Sequence, residues 1–419
     1  METVATMQNE RSFNWMPWIV CFSASLFFFY EFIQGNMFAS IADNIMQDFN
    51  IEVDKLAYLS SIYYLSNVMF LFVAGHLLDR YSAKKIMLLA MFLCVVSTFV
   101  LAEAHSFFIA LLCRFMTGVG SAFCLLGPVR IASRWFLPRQ MAMVTGIIVT
   151  IAMLGGLAAQ YPMTLLVSKI GWRNAVLVVG FIGVTMWFVM GFGIVDKPNT
   201  HKIGAENRLR FKEAFKRAYT NSAAIRVALF ATLMNMGIAV FGAMMGSLYL
   251  MARLDISKEL AASINGMIFL GTIFGGPLMG RWSDKLGERL VPMRFGALGA
   301  LITILIILYL PLAPLVMYIL FFALGFFTSA QIISYAYVAE TQPASMTATA
   351  VSLVSLGTQI GYIIFQNLFS QILLLHSQRP GVYQLGDYQT AAIMLPIGLI
   401  FAFILLIKLK ETYCHNVEV

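Results

Sequence analysis

Twelve times along its 419 residues, this chain runs the length of a membrane crossing with almost no charge. A bilayer core about 30 Å thick takes about 20 helical residues to cross, and a helix satisfies its own backbone there. The runs cover 15–41, 57–78, 84–103, 106–129, 141–168 and 173–195, then 225–252, 260–280, 290–310, 314–338, 346–375 and 388–408. Only 11% of the residues are charged, where soluble proteins carry roughly 25%. The pattern predicts an all-α membrane protein of twelve transmembrane helices. The run after Arg11 is too long for a signal-peptide core and reads as a retained first span.

The net charge of +8 would suit a nucleic-acid binder, but the placement of the basic residues argues otherwise. With the N-terminus inside, the inner loops and tails carry Arg11, Arg80, Lys84, Lys85, Arg130, Arg134, Arg139, Arg226, Arg281, Lys285, Arg289, Arg294, Lys408 and Lys410. They also carry a cluster within 196–224 (Lys197, Lys202, Arg208, Arg210, Lys212, Lys216 and Arg217). The outer loops keep only Lys55, Lys169, Arg173, Arg253, Lys258 and Arg379. This asymmetry sets both termini inside. The polar stretch 196–224 divides the chain into an N-terminal six-helix bundle (1–195), a cytoplasmic linker, and a C-terminal bundle with a short tail (225–419). Leu209, Phe211, Ala214 and Phe215 fit the apolar side of a surface helix within the linker.

Residues 75–85 read GHLLDRYSAKK, and 280–290 read GRWSDKLGERL. Both follow an apolar run, and each occupies the inner loop between the second and third spans of its half. A glycine there allows close helix approach. An aspartate at a helix end can face the positive terminus of a neighbouring helix or pair with a loop arginine. The repetition marks two related halves, an organisation common among secondary transporters, with the substrate site between them.

These features resemble the major facilitator superfamily (MFS) along essentially the whole chain. The family signature G-x-L-x-D-R-x-G-R-[RK] is matched at Gly75, Leu77, Asp79, Arg80 and Lys84, with Ser82 and Ala83 as departures. The second copy matches at Gly280, Asp284, Lys285, Gly287 and Arg289. In the family, this motif is a latch that holds the halves together while the cavity faces outward. Residues 114–120, RFMTGVG, fit the family's R-x-x-x-G-x-G. The antiporter motif of span 5 has its spacing at Gly146 and Gly155, but Ala159 and Gln160 stand where Gly and Pro belong. The stretches FFFYEFIQGNMFASIADNIMQDFNI, RWFLPRQ and GWRNA look like a proteobacterial branch with amino-acid and nucleoside importers. The resemblance implies a pseudo-symmetric, monomeric, multi-pass protein of the bacterial inner membrane. Spans 1, 4, 7 and 10 would line its central cavity.

Ionisable residues deep in a span are costly and usually functional. Glu31 in span 1 and Arg114 in span 4 fall at similar depth in the outer half. The resemblance sets them face to face in the cavity. A carboxylate there is pulled two ways, since burial favours its neutral form and an arginine its charged form. An anion engaging Arg114 would release Glu31 to take a proton. The plainer alternative is a fixed ion pair locking spans 1 and 4. Tyr30, Gln34, Asn235, Gln331, Tyr335, Gln359 and Tyr362 complete the candidate substrate and coupling set, with Thr117, Ser121 and Gln366 on plausible faces. Each could equally be an interhelical hydrogen bond. Glu103, Asp43 and Asp48 at outer ends read as solvated, and Glu340 and Asp284 sit at inner ends. Cys21, Cys94, Cys113, Cys124 and Cys414 show no metal or disulfide spacing. No Walker loop or nucleophile elbow occurs, so no cofactor and no enzyme are expected.

The leading expectation is a secondary transporter working by alternating access, with proton-coupled uptake of a small polar solute. Arg114 favours a carboxylate, as in an amino acid or organic acid. Proton-coupled efflux of amphipathic compounds, and siderophore or nucleoside transport, are the alternatives. A nutrient sensor is a third, disfavoured because only ETYCHNVEV follows Lys410.

Overall fold

A computed structural model describes residues 15–136, 140–196, 221–341, 347–377 and 383–415. Among the described residues, twelve helical segments are long and apolar enough to cross a membrane. Spans 1 to 6 are Met16–Asn36, Val53–Leu78, Ala83–Ala102, Phe107–Trp135, Met143–Ile170 and Trp172–Gly193. Spans 7 to 12 are Ser222–Leu254, Lys258–Leu286, Leu290–Tyr309, Pro314–Glu340, Val351–His376 and Leu385–Ile407. A further helix, Phe38–Phe49, continues span 1 outward after a break at Met37. Arg11, Arg139, Arg379 and Lys197–Arg217 lie outside the described residues, and with them the expected surface helix.

The packing repeats with an offset of six. Span 1 lies along span 5 as span 7 lies along span 11. Spans 2 and 4 pair as spans 8 and 10 do, and span 3 lies on spans 4 and 6 as span 9 lies on spans 10 and 12. The chain therefore forms two pseudo-symmetric six-helix bundles. They meet along two equivalent seams, span 2 with span 11 and span 5 with span 8.

Lipid supplies no hydrophobic force between helices, so close approach depends on small residues. The glycines of RFMTGVG show this. A Cβ on Gly118 would lie 2.2 Å from the Tyr63 carbonyl oxygen in span 2, and one on Gly120 would lie 2.2 Å from Cys94 Sγ in span 3. Span 4 thus seats against both neighbours because these positions carry no side chain.

The halves are fastened on the outer side. The Lys258 ammonium donates to Asp43 and Asn44. Asn367 Nδ2 donates to Ser61 Oγ at 2.9 Å, and the Tyr64 and Tyr362 rings meet with centroids 4.5 Å apart. Asp43 is therefore an inter-half ion pair rather than the solvated acid expected. Asp48 is also engaged, accepting from Trp172 Nε1 at 2.8 Å and pairing with Arg173. Glu103 is exposed, as expected. On the inner side, no other segment among the described residues lies within 4 Å of a Cβ on Gly75 or Gly280.

Candidate functional site

Glu31 and Arg114 are carried to the same depth by antiparallel spans 1 and 4 and are 1% and 0% exposed. They form no direct ion pair. Tyr63 of span 2 stands between them, and this corrects the face-to-face expectation. Its hydroxyl donates to Glu31 Oε2 at 3.1 Å and lies 3.3 Å from the Glu31 carbonyl oxygen. Its ring receives the Arg114 guanidinium 4.7 Å from the centroid, and the Phe38 ring takes it from another side at 4.6 Å. Arg114 Nη1 donates to the Gln34 carbonyl at 2.9 Å and Nε to the Leu59 carbonyl at 3.4 Å. Among the described residues, Glu31 Oε1 and Arg114 Nη2 make no hydrogen bond, and the Cys94 thiol of span 3 also bears on the Glu31 carboxylate. Both the carboxylate and the guanidinium are thus half satisfied in a buried place, where an unmet polar group is costly.

The other residues of the expected set divide into two groups. Tyr30 and Gln34 turn toward Thr98 of span 3, at 2.9 Å and 2.8 Å, so they tie the first bundle together rather than facing the second half. Asn235 and Gln331 bond each other across spans 7 and 10. Tyr335 lies beside Ser355 and Thr358 of span 11. Gln359 and Tyr362, by contrast, reach the first half, at Asn67 (3.5 Å) and Tyr64.

The inner motifs differ between the halves. In the second copy, Arg289 pairs with Asp284 and with Glu340 of span 10. Burial alone would lower the Arg289 pKa, but the hydrogen bonds it donates to Glu340 and Asp284 outweigh that and raise the pKa above its usual value. The tail docks on the same place. Glu411 accepts from the backbone N–H groups of Arg289 and Leu290, capping span 9, and Thr412 donates to Glu340. Lys285 is exposed. In the first copy, Arg80 is exposed and Lys84 half-buried, while the Asp79 side chain lies outside what is described.

Sequence reasoning missed Tyr63 and misread Gln160. Span 7 contains a π-helical stretch, Ile238–Met245, between two α-helical pieces. Such stretches often sit at functional places. Carboxamides from three other spans serve its carbonyls. Gln366 Nε2 donates to Ala239 at 3.0 Å, Asn265 Nδ2 to Phe241 at 3.0 Å, and Gln160 Nε2 to Gly242 at 2.8 Å. Asn265 Nδ2 also donates to Gln160 Oε1 at 2.8 Å. The residue that reads as damage to a motif is therefore an inter-half tie. Its only signal in the sequence was an amide in place of the motif's proline.

The profile of the Major Facilitator Superfamily matches residues 20–245 and again 227–414. The chain belongs to that superfamily. It is 22% identical over 176 residues to a protein of Cupriavidus necator named as a probable sulfoacetate transporter, covering 42% of this chain and 41% of that one. It is 24% identical over 174 residues to a hexuronate transporter of Bacillus subtilis, covering 40% of each. An uncharacterized transporter of Buchnera aphidicola matches at 22% over 285 residues, 65% of this chain and 66% of that one. The first two matches thus span about two-fifths of those relatives' length. Among solved structures, the inward-facing, unoccupied bacterial homologue of the human lysosomal transporter Spinster aligns with a TM-score of 0.76. That alignment has 16% identity and covers 93% of this chain and 96% of the other.

Proposed function

We propose that this protein is a secondary transporter that moves a small carboxylate-bearing solute by alternating access, with uptake coupled to protons. The observation that carries the reading is Arg114: a buried guanidinium with Nη2 unpartnered and no carboxylate in direct contact. A buried cation without a counterion is costly, and an anionic solute supplies one, bidentately. Two MFS relatives support the class, since sulfoacetate and hexuronates both carry a carboxylate. Separation of the halves would part Tyr64 from Tyr362 and open the way to Arg114. Once the solute occupies Arg114, Glu31 loses its electrostatic support and takes a proton more readily, linking proton entry to solute entry. Asn235, Gln331, Tyr335, Gln359 and Tyr362 would shape the rest of the path, and the two inner motifs would re-form the latch when the cavity faces outward. A bacterial inner-membrane monomer is the setting this reading assumes.

The test is a thermal-unfolding screen of the purified protein in detergent with glucuronate, sulfoacetate, amino acids, citrate, nucleosides and lipophilic cations. A ligand that binds only the folded state adds about 2.7 kcal/mol at a hundredfold excess over Kd. Stabilisation by one carboxylate class, abolished in Arg114→Ala, is the expected result. Stabilisation by lipophilic cations alone would overturn the reading in favour of efflux. For coupling, Glu31→Gln in proteoliposomes should lose pH-gradient-driven accumulation while keeping exchange. Accumulation that survives removes Glu31 from the proton path.

A further inference from the structure

A buried carboxylate and a buried guanidinium at one depth would be expected to join, yet Glu31 and Arg114 do not. We infer that Tyr63 is a positioning residue, a rigid spacer that holds Glu31 and Arg114 out of a contact ion pair and so keeps Arg114 open to an incoming anion. The inference rests on the proposed function only for the use made of Arg114.

Tyr63 touches both groups with different parts. The hydroxyl serves the carboxylate and the ring face serves the cation. Each charge is held without being neutralised, and each keeps one atom unpartnered, Glu31 Oε1 and Arg114 Nη2. The ring has little freedom to leave. Its neighbour Tyr64 meets it edge-on at 5.0 Å, and Ser66 Oγ donates to the Tyr63 carbonyl at 3.0 Å. Span 4 presses on the same carbonyl where Gly118 has no side chain, and on the span 1 side a Cβ on Gly35 would lie 3.6 Å from the ring. The Tyr63 backbone is thus seated closely against span 4, and its ring occupies the slot between Glu31 and Arg114. An empty slot would let the opposite charges close on each other in a place poorly screened by water. A fixed pair would then compete with any anion for the guanidinium.

The spacer is tested without a ligand, by thermal unfolding. Glu31→Gln, Arg114→Gln and the double variant form a cycle whose non-additivity reads the direct coupling of the two charges. The cycle is run with Tyr63 intact, with Tyr63→Phe and with Tyr63→Ala. With either aromatic ring in place, a residual coupling well below that of a contact ion pair is expected, enough for the linkage proposed above, and a rise of several degrees in non-additivity with Tyr63→Ala. Tyr63→Leu gives the same comparison should the alanine variant not fold. Equal non-additivity in all backgrounds overturns the spacer. A rise already present with Tyr63→Phe overturns the role given to the ring.

Glucuronate and sulfoacetate then serve as anion probes. The stabilisation seen with wild type should vanish in Tyr63→Ala and return when Glu31→Gln is added, because removing the carboxylate frees the arginine. If the stabilisation is lost and Glu31→Gln does not restore it, the spacer is wrong. If neither probe stabilises wild type in an Arg114-dependent way, the loss falls on the proposed function, and the unliganded cycle still decides the spacer.

Discussion

Gln160→Leu should tilt the protein toward opening on its outer side. The change is nearly isosteric and removes two ties across the halves, Gln160 Nε2 to the Gly242 carbonyl and Asn265 Nδ2 to Gln160 Oε1, both 2.8 Å. Asn265 keeps its bond to the Phe241 carbonyl, so it is not orphaned. A neutral hydrogen bond contributes about 0.5–1.5 kcal/mol net in water and about 0.6 kcal/mol on average between membrane helices. Two of them amount to about 1–2 kcal/mol, or about a 5–30-fold fall in the ratio of outer-closed to outer-open molecules. Spin labels at Glu103→Cys and Ala313→Cys, exposed outer positions on opposite halves, would report it in a Cys414→Ser background. The distance distribution should gain a longer component in Gln160→Leu. An unchanged distribution would mean that the amide ties are incidental to closure and that the other contacts of the two seams hold it.

Three further outcomes follow from the same contacts. Asp43→Asn breaks the Lys258 pair, but these side chains are 30% and 17% exposed; a cost under about 1 kcal/mol is expected, with little change in the same distances. Gly118→Ala places a Cβ 1.9 Å from Ser66 Oγ, so span 4 must retreat; thermal unfolding should show a loss of about 1–3 kcal/mol. Arg289→Ala leaves Glu340, 13% exposed, with Thr412 as its remaining side-chain donor; a loss of about 3 kcal/mol is expected, partly recovered by adding Glu340→Gln.

The twelve crossings, their orientation and the twofold repeat could be read from the chain because they depend on quantities that add along it. Apolar length decides what crosses lipid, and loop charge decides which end stays inside. The paired inner motifs revealed the repeat, since each copy carries its own residues wherever the other lies. Glu31 and Arg114 stood out for a similar reason: a charge in an apolar run is costly whatever surrounds it. Their relation was not legible. Residue spacing along spans 1 and 4 sets depth, but only the rotation and approach of span 2 decide that Tyr63 comes between them. The same holds for Gln160, whose sequence neighbours carry no sign of span 7. Its partner is a backbone carbonyl exposed by a π-helical stretch, and backbone carbonyls leave no mark in residue type. The tail was equally silent, since Glu411 acquires its role only from the helix end it meets. Single-residue energies and segment lengths thus belonged to the sequence, while pairings between distant segments and with backbone groups were decided by the tertiary structure, because they depend on helix rotation and packing distance that no local pattern encodes.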